Sequence, residues 1–395
     1  MEPQGRDDLT FSYFADDYRW SHGLLIALNA APWGGAEIGE VHRAGRELRE
    51  CPGDDEAWFR AWRSGARKAE DVGRARLESG HAHSGASYLL RAANYYHVGE
   101  RFVQPKNEES DAAYRRGVAC FADAAAVMTY PRVERVEIPY EGTSLPALLV
   151  HSELRRARQA PGPAMVFFDG LDITKELQYF KGVPDLARRG IACLIVDGPG
   201  NGESIRFRGL PLHHETERYA TPAYEWLASR AEIDSQRIGV MGISLGGYYA
   251  PRAAAFEPRF ACCLAWGAQW DYHATWAARF ARIDAGTVPS LSVPWRHLLW
   301  ILGAGSRDEA LAKLTGFRLA GVAEQIRCPF LLVHGEGDEQ VPLADAQRCF
   351  DAAGSSQKTL RVFGRQEGGY HHCQLDNISI CIADMWDWLS DTLQP

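Results

Sequence analysis

The run Arg237-Ile238-Gly239-Val240-Met241-Gly242-Ile243-Ser244-Leu245-Gly246-Gly247-Tyr248-Tyr249-Ala250 is the part of this sequence best suited to do chemistry. It reads as a strand, then Gly-x-Ser-x-Gly, then a helix. A serine on such a sharp strand-to-helix turn has its hydroxyl lifted above the sheet edge. Small residues two before and two after it let strand and helix approach closely. The turn also puts Ser244 at a helix N-terminus, where the dipole favours developing negative charge. The chemistry expected is nucleophilic attack. A bare Gly-x-Ser-x-Gly occurs often by chance, but here the flanks are those the motif requires.

A serine hydroxyl is a poor nucleophile near neutral pH. It needs a base to take its proton and a carboxylate to orient that base. Behind a strand–turn–helix nucleophile the order along the chain is serine, acid, histidine. The segment Phe330-Leu331-Leu332-Val333-His334-Gly335-Glu336-Gly337-Asp338 puts Asp338 just beyond a late strand, where a loop reaches toward the serine. Asp271, after the preceding strand, is the alternative acid. Glu336 and Glu339 read as solvated loop residues, and His334, at a strand end, as structural. The base belongs after the last strand, in Gly368-Gly369-Tyr370-His371-His372-Cys373-Gln374. Spacing alone does not separate His371 from His372, and His213-His214 lie on the wrong side of the serine. Acyl chemistry also needs hydrogen-bond donors for an oxyanion. One is expected to be the backbone N–H of Leu245. The other is expected from Asp169-Gly170-Leu171-Asp172-Ile173-Thr174-Lys175-Glu176, where Gly170 permits a close turn and the Leu171 N–H is the donor.

These residues need a framework. From Arg132 onward, β-rich runs alternate with helical stretches, with strands expected near 133–139, 145–151, 164–168, 191–196, 237–242, 261–266, 329–334 and 359–363. Met165-Val166-Phe167-Phe168 and Ala192-Cys193-Leu194-Ile195-Val196 are unbroken apolar runs, as suits strands buried on both faces of a parallel sheet. The alternation implies a doubly wound α/β core. Residues 1–130 read as a helical domain, with helices over 56–75, from Ser84 through Tyr96, and over 110–128; Pro32-Trp33-Gly34-Gly35 is a turn between helices. Within the core domain, 131–395, about sixty residues separate the strand ending near Trp266 from the one at Pro329. This insertion, about 268–326, is expected to form a helical lid, with helices at 273–283 and 306–314. It carries Trp270, Trp276, Trp295, Trp300 and Phe317, which either enclose a flat ligand or pack an extra helical pair on the core. The same choice applies to Trp58, Trp62, Tyr95 and Tyr96.

Bulk properties narrow the class. The formal charge is -8, which argues against a nucleic-acid partner. Nine cysteines, an odd number without paired spacing, read as reduced thiols of a reducing compartment. The N-terminus lacks the pattern of a signal peptide, and no apolar stretch is long enough to span a membrane. A cytoplasmic protein without a membrane partner is expected. Asp197-Gly198-Pro199-Gly200-Asn201-Gly202 is Gly-rich but reads as a tight loop after a strand, and no metal-ligand spacing occurs. No cofactor and no metal are expected.

Together these segments resemble one branch of the α/β-hydrolases. It contains 2,6-dihydroxypseudooxynicotine hydrolase, the fungal polyketide-shortening hydrolases of pigment synthesis, and relatives of the fermentation-respiration switch protein. The resemblance rests on Gly170 to Glu176, Asp197 to Glu203, Gly242 to Ala250, His334-Gly335 with Asp338, and His372-Cys373. Leu90-Arg91-Ala92-Ala93-Asn94-Tyr95-Tyr96 resembles the helical domain these enzymes carry in front. It implies an α/β-hydrolase fold: a mostly parallel eight-stranded sheet, an N-terminal helical domain and a helical lid. It aligns His372 with the base. His371 then stands where the branch carries an acidic residue, and is a candidate to contact substrate, to tune the base or simply to sit in solvent. Asp172 occupies the position of a functional glutamate and is a candidate substrate-binding residue. Members of this branch cleave carbon–carbon bonds in 1,3-diketone-like or aryl-ketone substrates. The resemblance therefore implies a small hydrophobic or aromatic ketone substrate and a homodimer, with a carboxylesterase or thioesterase as the alternative.

Overall fold

The computed structural model describes residues 11–152, 160–171, 173–287 and 291–394, which fall into two compact units. The first runs to Arg132 and includes Tyr179–Lys181 and a short segment ending at His297. It is built on α1 (Tyr18–Leu28), α2 (Ile38–Leu48), α3 (Asp55–Glu78), α4 (Ala82–Glu100) and α5 (Glu108–Val127). Local chemistry starts three of these helices. The carboxylates of Asp17 and Asp54 accept first-turn backbone N–H groups of α1 and α3, and Asn107 with Ser110 forms a reciprocal capping box on α5. Trp58 is the hub of the interior, with ring centroids 5.4 Å from Trp20, 5.5 Å from Trp62 and 4.8 Å from Phe102. The buried Glu70 carboxylate accepts from Tyr96 Oη and from the guanidinium groups of Arg74 and Arg116. Trp58, Trp62, Tyr95 and Tyr96 are thus core residues of this helical unit. The expected Pro32-Trp33 turn is a single 3-10 turn, Ala31–Trp33, ended by Gly34 at φ 81°.

The second unit holds one eight-stranded sheet in the order β1-β2-β4-β3-β5-β6-β7-β8. The strands are β1 (Val133–Tyr140), β2 (Thr143–Val150), β3 (Gly162–Phe168), β4 (Ala192–Val196), β5 (Ile233–Ile243), β6 (Cys263–Trp266), β7 (Phe330–Gly335) and β8 (Lys358–Phe363). β1 and β2 form an antiparallel hairpin, and β2 runs antiparallel to β4; every other neighbouring pair is parallel. The two-residue turn Glu141-Gly142 has positive φ at both positions, the turn that matches the twist of a hairpin. β3, β4, β6 and β7 are buried along their whole length, as their unbroken apolar runs require. All eight strands lie where the β-rich runs of the sequence placed them.

The chain leaves β3 to one side, to build β4, and then returns across it to build β5. The C-terminal ends of β3 and β5 therefore border the crevice at which open α/β sheets bind ligands. Ser244 follows β5, and Gly170 follows β3.

The stretch expected to form a lid contains the helices Tyr272–Asp284, Arg296–Leu302 and Arg307–Leu314, one more than its periodicity indicated. The extra helix has only seven residues, too few for a helical period to stand out. The base of the insertion is closed by an antiparallel bridge between Asp271 and Arg318. Trp276 and Phe317 are fully buried. Phe317 packs on Tyr248, with ring centroids 5.3 Å apart, and the Arg279 guanidinium donates to the Gln340 carbonyl at 2.8 Å. No helix among the described residues is long and apolar enough to cross a membrane. The cysteines of the described chain are all free thiols, most of them buried.

Candidate active site

Ser244 has φ 60°, in the left-handed region that a non-glycine residue occupies only when its surroundings force it. Two glycines show what forces it. A Cβ on Gly242 would lie 2.1 Å from the Gly246 carbonyl oxygen, and one on Gly247 would lie 1.4 Å from the Gly267 carbonyl oxygen. The end of β5, and the residue just after β6, both lie closer to the helix Gly246–Phe256 than any side chain allows. The Ser244 N–H donates to the Trp266 carbonyl at 2.8 Å, so the turn is also tied to β6.

His372 follows β8. Its Nε2 lies 2.8 Å from Ser244 Oγ, and its Nδ1 lies 2.7 Å from Asp338 Oδ2. A carboxylate can only accept, so Nδ1 carries the proton and Nε2 is the acceptor for the serine hydroxyl. The other Asp338 oxygen accepts the backbone N–H groups of Gln340 and Val341 at 2.8 and 2.9 Å. His334 donates its Nε2–H to the Val341 carbonyl at 3.0 Å and so braces the same loop. Burial alone would raise the Asp338 pKa, but the His372 imidazole, His334 and the Val341 N–H hold the carboxyl below its usual range. Burial alone would lower the His372 pKa. The adjoining Asp338 carboxylate outweighs it and holds the imidazole above its ordinary value.

The turn that carries His372 is itself strained. Cys373 and Gln374 are consecutive non-glycine residues at φ 52°. Gln374 Oε1 accepts the Trp266 indole N–H at 2.7 Å, and Cys373 Sγ lies 3.3 Å from His372 Nε2. His371 precedes this turn. Its N–H donates to Asp376 at 3.1 Å, and its ring meets Tyr370 edge-on at 5.0 Å. Asp271, the alternative acid, is engaged elsewhere. It caps the helix Tyr272–Asp284 through the Ala274 N–H and pairs with Arg318 at 2.9 Å.

Leu245 is buried at the N-terminus of the helix Gly246–Phe256. On the opposite side stands the loop after β3: a Cβ on Gly170 would be 3.0 Å from Ser244 Cβ and 3.3 Å from Ser244 Oγ. Leu171 is the next residue and is buried. Asp172 lies outside the described residues.

Two residues of this neighbourhood escaped the sequence reading. Lys175 is fully buried, and its ammonium contacts Glu176, Asp197 and Glu203 at 2.8, 3.0 and 2.5 Å. Asn201, also buried, donates its amide to the Gly170 carbonyl at 2.8 Å and to the Ile173 carbonyl at 3.4 Å. A lysine and an asparagine embedded in two Gly- and acid-rich loops were the available signal. Nothing in either loop alone says that they meet.

An elbow serine, a histidine and a buried aspartate in one hydrogen-bonded line, above a mostly parallel sheet, define a serine α/β-hydrolase. Two family models match the chain, the prolyl oligopeptidase family over residues 178–395 and the FrsA-like esterases over residues 57–275. Each match spans more than half of the 395 residues, and the chain belongs to these two hydrolase families. Hydrolase acrC of Aspergillus aculeatus is 29% identical over 427 residues, covering 97% of this chain and 98% of that one. The 2,6-dihydropseudooxynicotine hydrolase of Paenarthrobacter nicotinovorans is 29% identical over 342 residues, covering 85% and 84%. The crystal structure of 2,6-dihydroxy-pseudo-oxynicotine hydrolase superposes with a TM-score of 0.76 at 25% identity, over 93% of this chain and 95% of that one.

Proposed function

We propose that this enzyme hydrolyses a carbon–carbon bond next to a ketone, in a β-diketone, aryl-ketone or polyketide-type substrate, with Ser244, His372 and Asp338 as its triad. The observation that carries the proposal is the unbroken line from Ser244 Oγ through His372 to Asp338, at 2.8 and 2.7 Å. Likeness along most of the chain, helical front included, to a hydrolase named for a pseudooxynicotine supports the choice of bond.

In this reading, Ser244 Oγ adds to the ketone carbon as His372 Nε2 takes the hydroxyl proton. The carbonyl electrons move to oxygen, and the N–H groups of Leu245 and Leu171 receive the oxyanion. When the oxyanion collapses, the adjacent C–C bond breaks. Its electron pair leaves as an enolate stabilised by the second carbonyl, and His372 returns the proton to it. Water, deprotonated by the same imidazole, then splits the acyl-enzyme into a carboxylic acid and free Ser244. Asp338 holds the imidazole in the required tautomer throughout. Asp172 and His371 are proposed to contact substrate. A small hydrophobic ketone acted on by a cytoplasmic homodimer, without cofactor, nucleic acid or membrane, completes the reading.

One finding favours a second reading, since one of the matching families is described by its esterases. A carboxylesterase would use the same triad with an alkoxide leaving group. Parallel assays with p-nitrophenyl acetate and benzoylacetone separate the two. Cleavage of the diketone to two products is expected; rapid ester turnover with an untouched diketone would overturn the C–C reading.

A further inference from the structure

Asn201 occupies the loop between β4 and the helix Gly202–Arg208, and its side chain reaches across to the loop after β3. Both of its partners there, the carbonyls of Gly170 and Ile173, are acceptors. The amide nitrogen must therefore be the atom that faces them. In a planar trans peptide the C=O of one residue and the N–H of the next point in opposite directions. Holding the Gly170 oxygen toward Asn201 thus turns the Leu171 N–H the other way. Glycine at one end makes this peptide cheap to rotate, because Gly170 can adopt backbone angles closed to other residues. The rotated peptide would present a carbonyl oxygen where a hydrogen-bond donor is wanted. Gly170 is also the residue whose backbone stands beside the Ser244 hydroxyl.

The loop that carries Asn201 is tied down by hydrogen bonds. Its N–H donates to the Gly198 carbonyl at 3.0 Å, and the Gly200 N–H donates to the Leu210 carbonyl at 2.9 Å. The Asp197 carboxylate accepts the Lys175 backbone N–H at 2.8 Å, the Lys175 ammonium at 3.0 Å and the Glu203 N–H at 3.0 Å. The loop after β3 is consequently held near both ends by the loop after β4, by Asn201 at Gly170 and Ile173 and by Asp197 at Lys175.

We propose that Asn201 is a positioning residue of the oxyanion pocket: its amide sets the orientation of the Gly170–Leu171 peptide and so keeps the Leu171 N–H aimed at the reacting oxygen. The proposal rests on Ser244 being the nucleophile. Asn201→Asp tests it, because the volume is kept while the donor becomes a carboxylate that cannot bond to either carbonyl. Three probes are read: the rate of Ser244 labelling by a fluorophosphonate, affinity for an aryl trifluoromethyl ketone, which Ser244 converts to a tetrahedral alkoxide, and affinity for the matching unreactive methyl ketone. Labelling rate and trifluoromethyl ketone affinity are expected to fall about 100-fold or more, the scale of losing one oxyanion donor. Final labelling stoichiometry and methyl ketone affinity are expected to stay at wild-type values, while Tm falls because the buried carboxylate faces two carbonyl oxygens. Asn201→Ala, which introduces no charge, is expected to lose about 10-fold in the same two quantities, and decides the matter if the aspartate variant does not fold. Wild-type labelling and inhibition in a folded variant would overturn the proposal. So would a smaller labelled fraction with an unchanged rate for the remainder, the signature of a merely structural role. A wild-type enzyme that neither labels nor binds the trifluoromethyl ketone would instead overturn the serine-nucleophile reading, and this proposal with it.

Discussion

Asp338 Oδ2 and His372 Nδ1 are 2.7 Å apart although 34 residues separate them in the chain. The contact is made because the loop after β7 and the turn after β8 emerge from adjacent parallel strands at the same sheet edge. That edge is where Ser244 stands. The pairing leaves Nε2 as the proton acceptor and directs it at the serine, and this gives the arrangement its expected behaviour under mutation.

Ser244→Ala removes the hydroxyl proposed to attack the substrate carbon. Turnover is expected to fall on the order of 10^4-fold or more, with fluorophosphonate labelling lost and Tm close to wild type. Near wild-type turnover of either p-nitrophenyl acetate or benzoylacetone in this variant would contradict a covalent route for that substrate.

Asp338→Asn replaces an acceptor with an amide that can present N–H to His372, favouring the wrong imidazole tautomer. A loss on the order of 10^4-fold in kcat is expected. Asp271→Asn should keep wild-type turnover, because asparagine caps a helix as well as aspartate does. The pair lost with Arg318 is half-exposed on the arginine side and contributes at most about 1 kcal/mol. Steady-state rates of the two variants, side by side, check the assignment; the reverse ranking would move the acid to Asp271.

The pH dependence follows from the raised His372 pKa. In the proposed mechanism His372 works as neutral imidazole, so kcat/KM of the free enzyme is expected to rise with pH, with its midpoint above the ordinary histidine value of 6.5. Removing the Asp338 charge should move that midpoint down. The stability linkage has a definite sign. Because the folded pKa is above the unfolded one, the His372–Asp338 pair contributes fully below about 6.5 and loses its contribution as pH rises through the folded pKa. A midpoint below 6.5 in the wild-type pH profile would contradict the electrostatics described here.

Gly247→Ala places a methyl group where the Gly267 carbonyl oxygen already lies, 1.4 Å from the new atom. Neither partner is a flexible side-chain end, so the helix and the segment after β6 must separate. A loss of about 3 kcal/mol or more is expected, at or beyond the upper end of ordinary overpacking, together with loss of the elbow geometry. Urea denaturation and the labelling rate of Ser244 measure the two effects.

Lys175→Met leaves Asp197, Glu176 and Glu203 facing one another without their buried cation. Breaking a buried ion pair from one side costs about 3–5 kcal/mol. A fall of that size in the unfolding free energy, read as a lower urea midpoint, is expected, partly restored by Asp197→Asn in the same chain. An unchanged midpoint would show that the cluster does not hold the two loops together.

The sheet was legible because each central strand is an uninterrupted apolar run, and a chain that buries both faces of a strand has no other way to write it. The elbow was legible because the glycines around Ser244 answer a steric demand within a few residues of one another. Asp338 was placed as the acid candidate by its position after β7; position after β8 narrowed the base to His371 or His372, and only the resemblance aligned His372 with it. The sequence could not exclude Asp271 on spacing alone. Its helix cap and its pair with Arg318 did that, and both depend on how the insertion folds back on its own base. Nor could it show that Asn201 touches Gly170, that Lys175 is buried among three carboxylates, or that Trp276 and Phe317 are core residues. Short-range patterns report the geometry of one element. Contacts between loops from different strands depend on strand order, and only the folded sheet supplies it: β3 lies between β4 and β5, which puts the asparagine after β4 within reach of the glycine beside Ser244.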